Sequence, residues 1–106
     1  MEYKIPWSYP EINEKESEQV LDSFRANWLS MGPKVEKFES AMVEYLQVPH
    51  AIAVTNGTVA LDLALKTIGI EPGDEVIVPA MTYFATAASI SYQLAVPVFV
   101  DIESHS

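Results

Sequence analysis

Asn56, Gly57 and Thr58 stand where a short apolar run, AIAVT, gives way at once to a helical pattern. At such a junction the first amides of a helix have no intrahelical acceptor, and the peptide dipoles add roughly half a positive charge. Gly57 allows close backbone approach and a positive φ, Asn56 can cap the helix, and Thr58 adds a hydroxyl donor. Such donors suit an anion, with phosphate the obvious guest. A simple capped helix after a tight turn uses the same residues, so the stretch alone is consistent with either use.

A second group supplies context. Met81-Thr82-Tyr83-Phe84-Ala85-Thr86 follows another apolar run, EVIVPA, and brings aromatic and hydroxyl groups to the same edge of a sheet. Neighbouring parallel strands lie about 5 Å apart, so an aromatic there can lie against a flat ring whose phosphate rests on Gly57 and Thr58. Ring plus phosphate describes pyridoxal 5'-phosphate (PLP). Ordinary core packing is the competing use of each aromatic, and the two are expected to divide, one exposed and one packed. Nucleotide readings fit poorly. The dinucleotide fingerprint needs three spaced glycines and an acidic residue ending the second strand, whereas NGTVAL has one glycine and that strand ends in Pro79-Ala80. Asp74 precedes the strand, and no Gly-Lys-Ser/Thr follows the first one.

The elements that must position these groups follow from pattern. Pro6 and Pro10 among aromatics predict an extended arm. A helix is expected from Asn13, with Glu16 completing a capping box and Val20, Leu21, Phe24 and Trp28 on one buried face. Pro33 opens a second helix, with Val35, Phe38, Met42, Tyr45 and Leu46 as its buried stripe. From Ala51 the grammar becomes strand AIAVT, helix Val59 to Ile68, turn Pro72-Gly73-Asp74, strand EVIVPA, helix FATAASISYQL and strand AVPVFVDI. Helices between apolar strands predict a mostly parallel, three-stranded sheet, with one face that these residues are too few to cover.

Composition bounds the partners. The 106 residues carry 15 acidic against 6 basic groups, a net charge of -9 that opposes binding to nucleic acid or an anionic membrane. There is no cysteine, which excludes disulfides and thiolate metal sites and fits a reducing cytoplasm. The N-terminus lacks a secretory h-region, and no apolar stretch approaches a membrane span.

Four segments together carry a resemblance: WLSMGPKVEKFE, VTNGTVALDLAL, PGDEVIVPAMTYFAT and PVFVDI. In this order and spacing the chain resembles the N-terminal part of the DegT/DnrJ/StrS family, PLP-dependent aminotransferases acting on nucleotide-linked keto-sugars. The resemblance implies an α/β architecture, the N-terminal part of a type I PLP-dependent aminotransferase fold, with a mostly parallel sheet and flanking helices. Residues 1–50 would form the arm and two helices, and 51–106 the start of the PLP-binding large domain. It implies that the Gly57 and Thr58 amides, the Thr58 hydroxyl and the Val59 amide hold the cofactor phosphate. Tyr83 takes the place of the ring-stacking aromatic, Thr86 shapes the pocket behind the ring, and Met31 and Gly32 approach the sugar. Asp101 is given a structural job. A homodimer, and glutamate or glutamine as amino donor, are further implications.

In that family the Schiff-base lysine and the aspartate facing the pyridine nitrogen lie downstream of these motifs. Lys4, Lys15, Lys34, Lys37 and Lys66 are all in the wrong places. The expectation is therefore a truncated piece, inactive by itself, of a longer aminotransferase. A non-catalytic regulatory relative and a PLP-dependent sugar dehydratase are the alternatives.

Overall fold

The computed structural model describes residues 8–103. Lys4 and Pro6 lie outside them, and the described part of the expected arm, residues 8–12, has neither helix nor strand. The chain divides into two compact units, Met1–Ala53 and Val54–Ser106.

The first unit holds two helices whose ends follow local rules. Helix α1 spans Glu14–Arg25 and starts with the expected capping box. The Asn13 amide donates to Glu16 Oε2 at 2.8 Å, and Asn13 Oδ1 accepts from the Lys15 amide at 2.9 Å. Helix α2 spans Pro33–Leu46, with Pro33 at its first position, where a missing N–H costs no helical bond. The Gly32 carbonyl accepts from the amides of Val35 and Glu36, and Gln47 ends the helix at φ 54°.

Burial in this unit differs from expectation. Val20, Leu21, Phe24 and Trp28 are exposed, as are Phe38, Tyr45 and Leu46, while Val35 and Met42 are only half-buried. Periodicity identifies which face is apolar, but burial needs a surface to cover it. Among the described residues, none covers these stripes.

The second unit contains α3 (Gly57–Thr67), β1 (Glu75–Pro79), α4 (Phe84–Tyr92) and β2 (Val96–Val100). The strands pair in parallel, from Glu75 opposite Val96 to Pro79 opposite Val100, with α4 as the crossover. The turn between α3 and β1 closes as the sequence predicts. Glu71 N–H donates to Asp74 Oδ2 at 2.8 Å, and Gly73 takes φ 91°, a conformation that favours glycine. Gly73 N–H reaches the Leu94 carbonyl and Val96 N–H the Asp74 carbonyl, tying the entrances of both strands together.

Helix α4 packs against α3 and against one face of the sheet. There Val78, 1% exposed, meets Ile90 and Ala95, flanked by Leu65, Ile70 and Val76. The opposite sheet face is open, and Ile77 next door is 74% exposed.

The expected first strand is absent: Ala51–Thr55 lies outside the sheet, which has two strands rather than three among the described residues. Its apolar sequence is compatible with a strand, but a strand exists only where a ladder partner satisfies its backbone. Here the Ala53 amide donates to the Glu39 carboxylate instead, at 2.8 Å. Helix α3 also begins at Gly57, two residues before the expected start at Val59.

Candidate functional site

The sequence around residue 56 builds a capped helix start. Asn56 is extended, and its Oδ1 accepts from the Val59 amide at 3.0 Å, while its carbonyl accepts from the Ala60 amide at 3.1 Å. Two of the three free donors of the first turn then remain. Among the described residues the Gly57 and Thr58 amides have no protein acceptor.

Gly57 departs from the expected geometry. As the first residue of α3 it takes no positive φ. A Cβ built on it would meet nothing within 4 Å. Neither backbone strain nor packing thus demands glycine here, and the gap above it is open to a ligand.

That gap belongs to an open cleft of about 770 Å³, within the range of small-molecule sites. Its α3 side is Asn56, Gly57, Thr58, Ala60, Leu61 and Ala64, and its other side is Tyr83, Ala85 and Thr86 from the start of α4. The structure therefore brings Gly57, Thr58, Tyr83 and Thr86 to one cavity. Val59 is placed differently: its amide is taken by the cap, and it lines a separate groove of about 300 Å³ with Thr58, Asp62, Lys66 and Tyr92.

Tyr83 is the N-cap of α4, and it is 80% exposed. Phe84 is 77% exposed, so the two aromatics do not divide into one exposed and one packed. Adjacent positions at a helix entry both project outward here, because the core of this unit is filled by Ala85, Ala88 and Ile90 from α4. The Thr86 hydroxyl is held by the Thr82 hydroxyl at 3.1 Å, and the Thr86 amide donates to the Tyr83 carbonyl at 3.0 Å. This pair keeps the α4 entry in shape.

Met31 and Gly32 belong to the first unit. Trp28 Nε1 donates to the Met31 carbonyl at 2.9 Å, and the Met31 side chain is exposed. Asp101 follows β2 directly, and its carboxylate accepts from the Ile102 amide at 2.9 Å.

None of the residues lining the cleft is a lysine. Lys66 instead pairs with Asp62 at 2.9 Å. Lys34 bonds Gln19 and approaches Asp22 at 3.7 Å. Asp62 also accepts from Gln93, a buried residue that links α4 to α3. The Lys66 ammonium bonded to its carboxylate holds Asp62 below the ordinary value, against partial burial, with Gln93 adding in the same direction. No cluster of His, Cys, Asp and Glu suited to a metal ion occurs among the described residues, and no helix there is long and apolar enough to cross a membrane.

Sequence reasoning missed the cleft's apolar wall. Ala60 and Ala64 are one helical turn apart and leave room between α3 and α4, with Leu61 and Ala85 beside them. The four-residue spacing of small side chains was the available signal. Which helix they would face was not.

A helix start with two free amides, an open apolar cleft and an exposed phenol thus meet in one α/β unit. The chain belongs to the DegT/DnrJ/EryC1/StrS aminotransferase family, which it matches over residues 10–106. It is 46% identical over 99 residues to the GDP-perosamine synthase of Caulobacter vibrioides, covering 92% of this chain and 27% of that protein. It is 43% identical over 102 residues to the spore coat polysaccharide biosynthesis protein SpsC of Bacillus subtilis, covering 96% of this chain and 26% of that one. Among solved structures it is similar to Spr1654 of Streptococcus pneumoniae in its PLP-form, with a TM-score of 0.91 and 42% identity over 98% of this chain and 26% of that one. This chain thus spans about a quarter of the length of the relatives it matches.

Proposed function

We propose that this chain is the cofactor-cradling part of a PLP-dependent aminotransferase that aminates a nucleotide-linked keto-sugar. The observation that carries the reading is the cleft of α3 and α4, where Gly57, Thr58 and Tyr83 meet in a chain of this family. The amides of Gly57 and Thr58, with the Thr58 hydroxyl, would hold the phosphate. The Tyr83 phenol would cover one face of the pyridine ring, and Thr86, fixed by Thr82, would shape the space behind it. Val59 would lend its amide only on release from Asn56. Met31 and Gly32 would approach the sugar.

Bound PLP supplies the electron sink for charge developing on a substrate carbon. The residues of this chain bind and orient it. The lysine that would carry protons during transamination is expected outside these residues. The full enzyme is read as a cytoplasmic homodimer using glutamate or glutamine as donor.

Two measurements test the proposal. In the complete protein, amino transfer from glutamate or glutamine to a nucleotide-linked keto-sugar is expected, followed by mass spectrometry of the sugar product. Loss of water without gain of nitrogen would mark a dehydratase, and no turnover a binding relative. For the 106-residue chain, borohydride treatment with PLP is expected to label no single lysine in high yield. Stoichiometric labelling of one lysine would overturn the assignment of catalysis to residues elsewhere.

A further inference from the structure

The residue that caps α3 is also part of the cleft wall, so its charge acts on whatever the cleft holds. Asn56 Oδ1 bonds the Val59 amide at 3.0 Å, and its Nδ2 faces Thr55 Oγ1 at 3.4 Å. Capping by itself does not explain asparagine. Aspartate caps helices about as well, and its charge gains from the helix dipole.

The surroundings favour a neutral cap. The chain has 15 acidic residues, yet none is among those lining this cleft. Helix α1 carries Glu14 and Glu16 in its first turn and α2 carries Glu36, whereas α3 and α4, whose starts both border the cleft, carry no acid there. The stabilisation that acids give to the other two helix starts is forgone at the two that face the cavity.

Resting on the phosphate-holding reading above, we infer that Asn56 is a specificity-determining residue for the phosphorylated cofactor. It ties down the third amide of α3 and leaves those of Gly57 and Thr58 for the ligand. Being uncharged, it keeps the anion end of the cleft free of repulsion. A carboxylate at position 56 would preserve the cap and repel a phosphate dianion a few ångströms away.

The test compares this chain with its Asn56→Asp and Asn56→Ser variants, measuring PLP and pyridoxal binding by equilibrium dialysis near neutral pH and the thermal midpoint of each protein. The original chain is expected to prefer PLP to pyridoxal. Asn56→Asp is expected to lose PLP affinity by about tenfold or more, with pyridoxal affinity unchanged and the midpoint not lowered. Asn56→Ser, a neutral cap, is expected to stay within about threefold for PLP. If Asn56→Asp binds PLP as well as the original, or if both variants lose it equally, the inference falls and the phosphate reading stands. If the original chain itself shows no preference for PLP, the phosphate reading falls and takes the inference with it.

Discussion

The Trp28 indole lies where a side chain on Gly32 would have to go. A Cβ built on Gly32 would overlap Trp28 Nε1, the same nitrogen that donates to the Met31 carbonyl at 2.9 Å. Gly32 is extended at φ 175°, which any residue adopts, so the glycine is required by packing and not by backbone conformation. Gly32→Ala is expected to push the half-exposed indole off the Met31 carbonyl and cost about 1 kcal/mol, the net worth of a hydrogen bond with some lost packing. In a Trp28→Ala background the same change should cost almost nothing, because the clash is gone. Urea unfolding of the four proteins measures the coupling, and equal costs in both backgrounds would refute the contact.

The core of the second unit makes a directional prediction. Ile90 is 3% exposed and packs on Val78 and Ala95, so Ile90→Ala should destabilise by about 2–4 kcal/mol. Ile77, on the open sheet face, should tolerate alanine within about 0.5 kcal/mol. Chemical denaturation compares them. A large cost at Ile77 would show that something covers that face in solution.

Asp62 predicts an acid-dependent contribution. Its carboxyl is held below the ordinary 3.8, first by the hydrogen bond from Lys66. A carboxylate with a lowered native value stabilises the fold fully above its unfolded value, and that contribution fades as pH falls through the native one. Asp62→Asn should therefore lower the denaturation midpoint near pH 6, with the gap to the original closing well below pH 4. A gap that is constant with pH would mean that the charge plays no part.

Tyr83 separates binding from folding. It is so exposed that Tyr83→Ala should leave stability nearly unchanged. Losing a stacking ring is worth about 0.5–1.5 kcal/mol, so PLP affinity should fall roughly three- to tenfold. Tyr83→Phe keeps the ring and should bind almost as the original does. Fluorescence titration of the three proteins reads this directly.

Local signals in the sequence carried far. The capping box at Asn13 and Glu16, Pro33 at the head of α2 and the Pro72-Gly73-Asp74 turn all depend on neighbours within a few residues, and the apolar runs of β1 and β2 stood out because each found its partner in the other. What was not legible depends on distant partners. The run at Ala51–Thr55 has a strand's composition without a ladder, and the stripes of α1 and α2 have apolar faces without cover. At the site, the grouping of Gly57, Thr58, Tyr83 and Thr86 was expected from two neighbouring strands, but the run before Gly57 is not in the sheet, and it is the packing of α3 on α4 that brings these residues to one cleft. Asn56 caps α3 as its residue type allows, whereas the equal exposure of Phe84 and Tyr83 turned on side-chain geometry which residue types do not specify.

The central claim is that free amides at the start of α3 receive a phosphate. Its most direct test is a titration of the ¹⁵N-labelled chain with PLP and, separately, with pyridoxal, followed by amide chemical shifts. The Gly57 and Thr58 amides should show the largest shifts with PLP and much smaller ones with pyridoxal, while residues of α1 stay still. Shifts centred elsewhere, or equal for both ligands at Gly57 and Thr58, would contradict it.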